Sequence, residues 1–425
     1  MIDIAHRAVI SESMLVSFQN IQEAAGRIAG HVVASPCPHS IPLSEATGMK
    51  IFCKLEYLQR TGSFKERGAR NALALLSQAQ KQRGVIAASA GNHALGLAYH
   101  AQLLGIPATV VMPQFAPLMK AANCRRLGAS VVLHGTDLGE ARIRADEIAA
   151  EKNLTYINGF DDPAIIAGQG TLGLEIAEQV PDVDAVIVPI GGAGLIAGVA
   201  LALKTLKPGA KIIGVEPERA GSFTAAMRAG RPVRVYVKPT LADGLSVPQV
   251  GANAFEIARG LVDNTVLVGE HEIALGILRL LELEKAVVEG AGAAPLAACL
   301  AGLVPELRGK NVVLPLCGGN IDTPVLGRII ERGLAADGRL CRFVARISDR
   351  PGGLAGFATV IAQEGASIRD IEHDRTFSGE DLASVNVYCV VETRDFDHAQ
   401  RLRDRLTAQG YRINVPPSLA TVGEV

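Results

Sequence analysis

Short apolar runs rich in β-branched residues alternate with longer segments of helical period from about residue 18 to residue 330. Val85–Ser89, Ala108–Met112, Ser130–His134, Ala185–Ile190, Lys211–Glu216 and Asn311–Leu316 read as buried strands. Ala69–Gln82, Ala94–Leu104, Glu140–Lys152, Gly173–Gln179 and Gly194–Thr205 lie between them and read as helices. Strands with no polar face must be covered on both sides. The rhythm therefore predicts an α/β region with a mainly parallel sheet between helical layers, in two lobes. The expected division places a small lobe at about 50–155 within a large lobe made of 1–49 and 156–332.

The rhythm changes after Gly333–Arg339, a small polar stretch suited to a linker at 333–341. Strand 342–348, helix 353–364, strand 367–374, strand 383–392, helix 396–409 and strand 411–415 follow. That βαββαβ order predicts a ferredoxin-like module over 342–425. One further window invites a different reading. Ala185–Leu203 runs for nineteen residues without a charge, long enough for a membrane span. Pro189, Gly191, Gly192 and Gly194 interrupt it, so a strand, a glycine loop and a helix explain it better.

Composition narrows the partners more than the fold. The 425 residues are 48% apolar and 20% charged, enough to fill more than one core without staples. A net charge of −1 and the absence of Trp leave no basic surface or stacking platform, so neither a nucleic-acid nor a membrane partner is expected. The seven cysteines (Cys37, Cys53, Cys124, Cys299, Cys317, Cys341, Cys389) include no CxxC pair and no metal-ligand spacing. Reduced thiols in a cytoplasmic protein are the expectation. Met1–Gln19 has no apolar core and reads as untargeted.

Four strings carry candidate chemistry. Gly62–Ala69 (G-S-F-K-E-R-G-A) places Lys65 in a turn of small residues between the Ile51–Leu55 strand and a helix. A lysine aimed into a cleft there would lose its charge readily and become a nucleophile and base. Ser89–Gly96 (S-A-G-N-H-A-L-G) follows a strand and opens a helix, a nest of N–H groups suited to a carboxylate. Ile190–Gly198 (I-G-G-A-G-L-I-A-G) repeats that layout for a phosphate. It also mimics a dinucleotide fingerprint, with Glu216 ending the next strand, and alone cannot separate the two ligands. Leu314–Asn320 (L-P-L-C-G-G-N) sets Cys317 where open α/β sheets bind ligands, although a buried cysteine is most often inert.

In this order the four strings resemble the fold-type II pyridoxal 5′-phosphate (PLP) enzymes, and more narrowly the threonine/serine dehydratase (threonine ammonia-lyase) family. The likeness runs from about residue 20 to 330 and includes T-L-A-D-G at Thr240–Gly244. It implies a two-lobed fold like that of tryptophan synthase β, PLP as cofactor, and α,β-elimination from a small amino-acid substrate. L-Threonine would give 2-oxobutyrate and ammonia, and L-serine would give pyruvate. By position, the resemblance makes Lys65 the catalytic Schiff-base lysine, with Phe64 and Asn92 flanking the ring and Asn92 on its 3′-oxygen. Gly191, Gly192, Ala193, Gly194 and Leu195 would hold the phosphate, and Cys317 would face the pyridine nitrogen. Ser89, Ala90, Gly91, Asn92 and His93 would receive the substrate carboxylate. A neutral thiol, of ordinary pKa about 8.5, leaves the ring a weak electron sink, which favours expulsion of the hydroxyl over reprotonation. Lys65 would take the Cα proton, and the cofactor phosphate would help protonate the leaving hydroxyl.

Departures from the family pattern refine these expectations. Ala193 replaces a common glycine, which a methyl tolerates if its φ is negative. Leu95 stands where relatives often carry Gln. Ala90 lacks the hydroxyl that serine racemases place on the opposite face, so racemisation should be weak. Ser222 replaces an acid of metal-binding relatives, leaving Glu216 a weak cation candidate and no metal expected.

Arg346–Leu354 (R-I-S-D-R-P-G-G-L) and Gly365–Arg375 (G-A-S-I-R-D-I-E-H-D-R) resemble ACT domains, small amino-acid-binding regulatory units. Asp349, Pro351, Gly352 and Gly353 would then meet an amino-acid effector, while a tight turn with a helix cap explains the same residues equally well. One such unit is present where biosynthetic relatives carry two, so isoleucine inhibition stays open. The family implies a homodimer or homotetramer. A PLP dehydratase of 3-hydroxyaspartate and a serine-racemase-like enzyme are the enzymatic alternatives. An inactive amino-acid sensor is the other, against which the intact Lys65, glycine loop and Asn92 argue.

Overall fold

The computed structural model describes residues 15–116, 118–374 and 383–415; positions 1–14, Arg375 and 416–425, which enter the expectations above, lie outside them. The chain forms two compact units, Met1–Ile321 and Asp322–Val425.

The first unit holds two sheets. Six strands lie in the order His39–Ser40, Lys50–Lys54, Asn311–Pro315, Ala185–Pro189, Lys211–Pro217 and Asn264–Val268, all parallel except the first pair. Four parallel strands form the other sheet, in the order Ser130–Leu133, Ala108–Met112, Val85–Ala88, Thr155–Tyr156. These are the two lobes expected from the alternating pattern. The division near residue 50 is corrected. Lys50–Lys54 pairs in parallel with Asn311–Pro315 and so belongs to the large lobe, and the small sheet begins at Val85 and ends at Tyr156. That pairing spans some 260 residues of sequence, beyond the reach of any local pattern.

Two helices also differ from expectation. Ala69–Gln82 is in fact two helices, Lys65–Ala74 and Gln78–Arg83, because Ser77 and Gln80 form a capping box that starts the second. Gly173–Gln179 is only the end of Pro163–Gln179, which Asp162 caps with Pro163 at its first position. Its glycines mask the helix in sequence, yet each has a packing reason. A Cβ at Gly168 would meet the Arg67 carbonyl, one at Gly170 the Gly198 carbonyl, and one at Gly173 the Val199 backbone. Backbone-to-backbone approach of this kind locks the Lys65 helix and the Gly194–Leu206 helix against Pro163–Gln179. The uncharged window resolves into the strand Ala185–Pro189, the loop and that helix, and no described helix is long and apolar enough to cross a membrane.

The second unit opens with the helix Thr323–Ala336. Strands Leu340–Ser348, Ser367–Asp374, Ser384–Glu392 and Arg412–Asn414 then form an antiparallel sheet in the order second, third, first, fourth. With helices Gly353–Gln363 and Phe396–Ala408, this is the ferredoxin-like arrangement read from the pattern. Phe343, Phe357, Val387, Cys389 and Leu402 fill its core. The expected linker at 333–341 is corrected: Gly333–Ala336 close the opening helix, and Leu340 and Cys341 already belong to the first strand.

Candidate active site

Lys65 begins a helix whose next two residues anchor it. Glu66 is buried, accepts the Thr61 N–H and lies 3.2 Å from His100 Nε2. The buried Arg67 guanidinium is bidentate to Glu56 at 2.7 and 2.8 Å and reaches Glu175 at 2.6 and 2.8 Å. Burial raises the Glu56 carboxyl, but the charge and hydrogen bonds of Arg67 outweigh this and hold it below the ordinary carboxylate range. Paired and fully hydrogen-bonded, these charges fix the helix start in one place. A Cβ at Gly96 would touch the Lys65 backbone, so the small-lobe helix Asn92–Leu103 lies directly against it.

The Lys65 amine donates to the Gly159 carbonyl at 2.6 Å and lies 5.1 Å from the centre of the Phe64 ring. Burial pushes it down to about 8, against the opposite pull of Cys317 and Glu289. Loss of a proton from this amine is therefore accessible near neutral pH, as a base or nucleophile requires. His93 sits beneath Gly159, where its ring would contact any Cβ, and its Nε2 lies 3.0 Å from the Ile157 carbonyl. Burial and the charge of Lys65 push its imidazole down to about 4, so it stays neutral. It supports the carbonyl that holds Lys65.

Backbone contacts join this loop to the Cys317 string. Phe64 N–H donates to the Cys317 carbonyl at 3.0 Å, and Gly319 N–H donates to the Gly62 carbonyl at 2.9 Å. Cys317 Sγ is buried 3.3 Å from the Pro315 carbonyl, and burial keeps its thiol well above the ordinary value. Asn320 Nδ2 donates both to the Thr61 carbonyl at 2.7 Å and to Asn92 Oδ1 at 2.8 Å. Asn92 Nδ2 in turn donates to Glu289 Oε1 at 2.6 Å. Of the two Nδ2 hydrogens, one is committed there and the other is left for a ligand. Burial, reinforced by the charge of Asp243, pushes the Glu289 carboxyl up to about 7 despite the Asn92 hydrogen bond.

The glycine loop closes the remaining side. A Cβ at Gly192 would enter the Phe160 ring, and one at Gly194 would sit on the Phe160 carbonyl. Phe160 follows Gly159, so the loop and the Lys65 amine share one support. Gly191 lies against Gly244 of the T-L-A-D-G string, where a Cβ would be 3.1 Å from its carbonyl. The condition set for Ala193 is not met: its φ is +72°, left-handed, at the N-cap of the Gly194–Leu206 helix. A residue in that conformation turns successive N–H groups toward one point, which makes an anion nest. The methyl bears a cost of about 1–2 kcal/mol there.

The structure thus brings Phe64, Lys65, Asn92, Cys317 and the Gly191–Leu195 loop together. Ser89, Ala90 and Gly91 line the turn before Asn92, with Ser89 Oγ accepting the Gly91 N–H at 3.3 Å. Leu95 is buried in the small-lobe core. Glu216 is not free for a cation: its carboxylate accepts Phe223 N–H, Thr224 N–H and Thr224 Oγ–H at 2.7 to 2.8 Å, which starts the Ser222–Ala229 helix. Among the described residues no group of three His, Cys, Asp or Glu could hold a metal. In the second unit Asp349 lies 3.7 Å from His373 Nε2, and Gly352 adopts φ +92°. Gly159, Phe160, Glu289 and the role of Asn320 were missed from sequence. Only Glu289 left a signal, as the one charged residue between Lys285 and Glu306.

A desolvated amine, a glycine loop packed so closely on Phe160 that Gly192 and Gly194 admit no Cβ, and an amide with one donor to spare fit PLP. The family model described as pyridoxal-phosphate dependent enzyme matches residues 28–318. The L-threonine ammonia-lyase of Thermotoga maritima is 44% identical over 401 residues, covering 94% of this chain and all of the relative. The processed form of threonine deaminase isoform 2 from Solanum lycopersicum superposes with a TM-score of 0.71 at 38% identity, over 74% of this chain and 87% of that one. Maize serine racemase gives a TM-score of 0.70 at 33% identity, over 74% of this chain and 98% of that one.

Proposed function

We propose, from the premise that this chain belongs to the pyridoxal-phosphate dependent enzymes, that it is a threonine ammonia-lyase. It would convert L-threonine to 2-oxobutyrate and ammonia, and L-serine to pyruvate and ammonia. The observation that carries this reading is the Lys65 amine, desolvated to about 8 and held 2.6 Å from Gly159 between the nest and Cys317. When bound, PLP supplies the electron sink that makes the substrate Cα–H acidic. Lys65 would anchor the cofactor and then serve as the base at Cα. The N–H groups of Gly191, Gly192, Ala193, Gly194 and Leu195 would hold the phosphate. Phe64 would pack beside the ring, Asn92 would donate its spare Nδ2 hydrogen to the ring oxygen, and Cys317 would meet the ring nitrogen as a neutral thiol. The Ser89–His93 turn would receive the substrate carboxylate through backbone N–H groups.

Ala90 offers no hydroxyl for delivering a proton to the opposite face, which supports lyase over racemase chemistry. The unpaired cysteines support a reducing compartment, the cytoplasm. The second unit is the candidate site of amino-acid regulation, through Asp349 and Pro351–Gly353, and titrating isoleucine against activity of the full chain tests it. A homodimer or homotetramer is the expected assembly, checked by sedimentation.

Assays of 2-oxobutyrate from threonine, pyruvate from serine and oxaloacetate from 3-hydroxyaspartate test the substrate. Negligible turnover of threonine would overturn the reading. Lys65→Ala should lower turnover at least about a thousandfold and remove the visible absorbance of the purified enzyme.

A further inference from the structure

Glu289 has no part in the chemistry above, although it contacts Asn92 directly. We propose that Glu289 is a positioning residue: its carboxylate fixes the Asn92 amide so that the second Nδ2 hydrogen faces the ring oxygen of the bound cofactor. The proposal rests on the reading of Asn92 as the ring-oxygen donor.

Three observations lead to it. The Asn92 amide is gripped at both ends, with Nδ2 toward Glu289 and Oδ1 toward Asn320. The Glu289 oxygen that faces Asn92 is an acceptor, which selects the nitrogen of the amide. Asn320 has its own orientation set by the Thr61 carbonyl, so the selection is passed along a chain tied to the Lys65 loop.

The second observation concerns the helix that Glu289 precedes. Glu289 occupies the N-cap of Gly290–Leu300 but makes no side-chain cap. A short side chain such as aspartate at that position ordinarily satisfies the first N–H groups of its own helix. The longer Glu289 side chain makes no such bond, is 6% exposed, and accepts from the Asn92 amide and the Asn320 backbone instead.

Third, space is reserved for the contact. A Cβ at Gly318 would collide with Glu289 Oε1 and approach Asn92 Nδ2 to 3.0 Å, while Glu289 N–H ties back to the Gly318 carbonyl at 2.9 Å. Lys65, Cys317, Asp243 and Lys120 are the charged or titratable groups whose fields reach the pair.

The test titrates apo-protein with PLP and follows the absorbance of the bound cofactor, independently of turnover. Asn92→Ala and Glu289→Ala should each weaken PLP binding about tenfold, one oriented hydrogen bond. The double variant should be no more than about twofold weaker than either single, because one residue acts through the other. Glu289→Gln keeps an acceptor and should bind within about threefold of wild type. Glu289→Met, which fills the volume without an acceptor, repeats the measurement if the alanine variant does not fold. A double variant weakened about a hundredfold would overturn the proposal, as would wild-type affinity in Glu289→Ala or Glu289→Met beside a weakened Asn92→Ala. Wild-type affinity in Asn92→Ala alone would overturn the reading of Asn92 itself, and the proposal with it.

Discussion

Two strand-to-helix turns, one in each compact unit, share a backbone form. The strand Ala185–Pro189 passes through Gly191 and Gly192 into the helix Gly194–Leu206, and the strand Leu340–Ser348 passes through Pro351 and Gly352 into Gly353–Gln363. Both helices start from a left-handed N-cap without a side-chain cap, Ala193 at φ +72° and ψ −3°, Gly352 at φ +92° and ψ −13°. The residues differ as their surroundings do. Gly352 is exposed and takes the conformation freely. Ala193 is 2% exposed, and Phe160 and the Lys65 amine lie just beyond the loop. A turn in the second unit that is explained by its own geometry makes a weak case for a ligand. A turn that keeps a strained residue, beside an amine whose pKa burial has lowered, makes a strong one.

The largest expected effect comes from filling each turn. A methyl at Gly194 meets the Phe160 carbonyl, and one at Gly353 meets the Ser348 carbonyl. Each should destabilise its own unit by about 3 kcal/mol, since backbone cannot step aside as a side chain can. Only Gly194→Ala should also weaken PLP binding, by at least about tenfold. Calorimetry and PLP titration of both variants check this. Equal loss of PLP affinity in Gly353→Ala would erase the distinction between the turns.

Groups behind the turns give the next contrast, a dependence on pH. Glu289 is raised from 4.5 to about 7, so between those values the folded first unit binds more protons than the unfolded chain. Stability from this group is complete below 4.5 and is lost as pH rises through 7, by about 3 kcal/mol in all. Lys65, lowered from 10.5 to about 8, acts in a separate window, destabilising the fold below 8 and ceasing to do so as pH rises to 10.5. In the apo-protein, Glu289→Gln should therefore gain stability at pH 8 relative to pH 5. Denaturant melts at the two pH values measure it. An unchanged slope would show that Glu289 is ionised as easily as a surface acid.

The same contrast explains what sequence could disclose. The four strings around Lys65, Asn92, Ala193 and Cys317 were legible because a strand, a glycine turn and a helix start are local, and each writes itself into consecutive residues. The βαββαβ order of the second unit was legible for the same reason. Partners across the fold were not. Gly159 lies 94 residues from the amine it holds, and Glu289 lies 197 from Asn92. The assignment of Lys50–Lys54 to the large sheet depends on Asn311–Pro315 in the same way. Pro163–Leu172 was hidden because glycines that permit close helix crossings resemble helix breakers in one dimension. The sign of the Ala193 φ was not legible either, because alanine rarely adopts a positive value and nothing local to the string marks one.

The smallest expected effect sharpens the comparison most, because it exchanges the two caps. At Gly352 an added methyl gains no burial and pays for the left-handed conformation, about 1–2 kcal/mol, less the 0.4–1 kcal/mol returned by a stiffer unfolded chain. Gly352→Ala should therefore destabilise the second unit by about 1 kcal/mol. At Ala193 the methyl is packed with Ile190, Leu195 and Ile196 in the large-lobe core. Ala193→Gly relieves the same strain but gives up about 0.8 kcal/mol of buried methyl and loosens the unfolded chain. The contributions nearly cancel, and the first unit should change by less than about 0.5 kcal/mol. Equilibrium unfolding of the two variants separates the cases. A gain above about 1 kcal/mol in Ala193→Gly would mean that the methyl contributes nothing to the core, and that the loop keeps alanine for what it does to the nest rather than for packing.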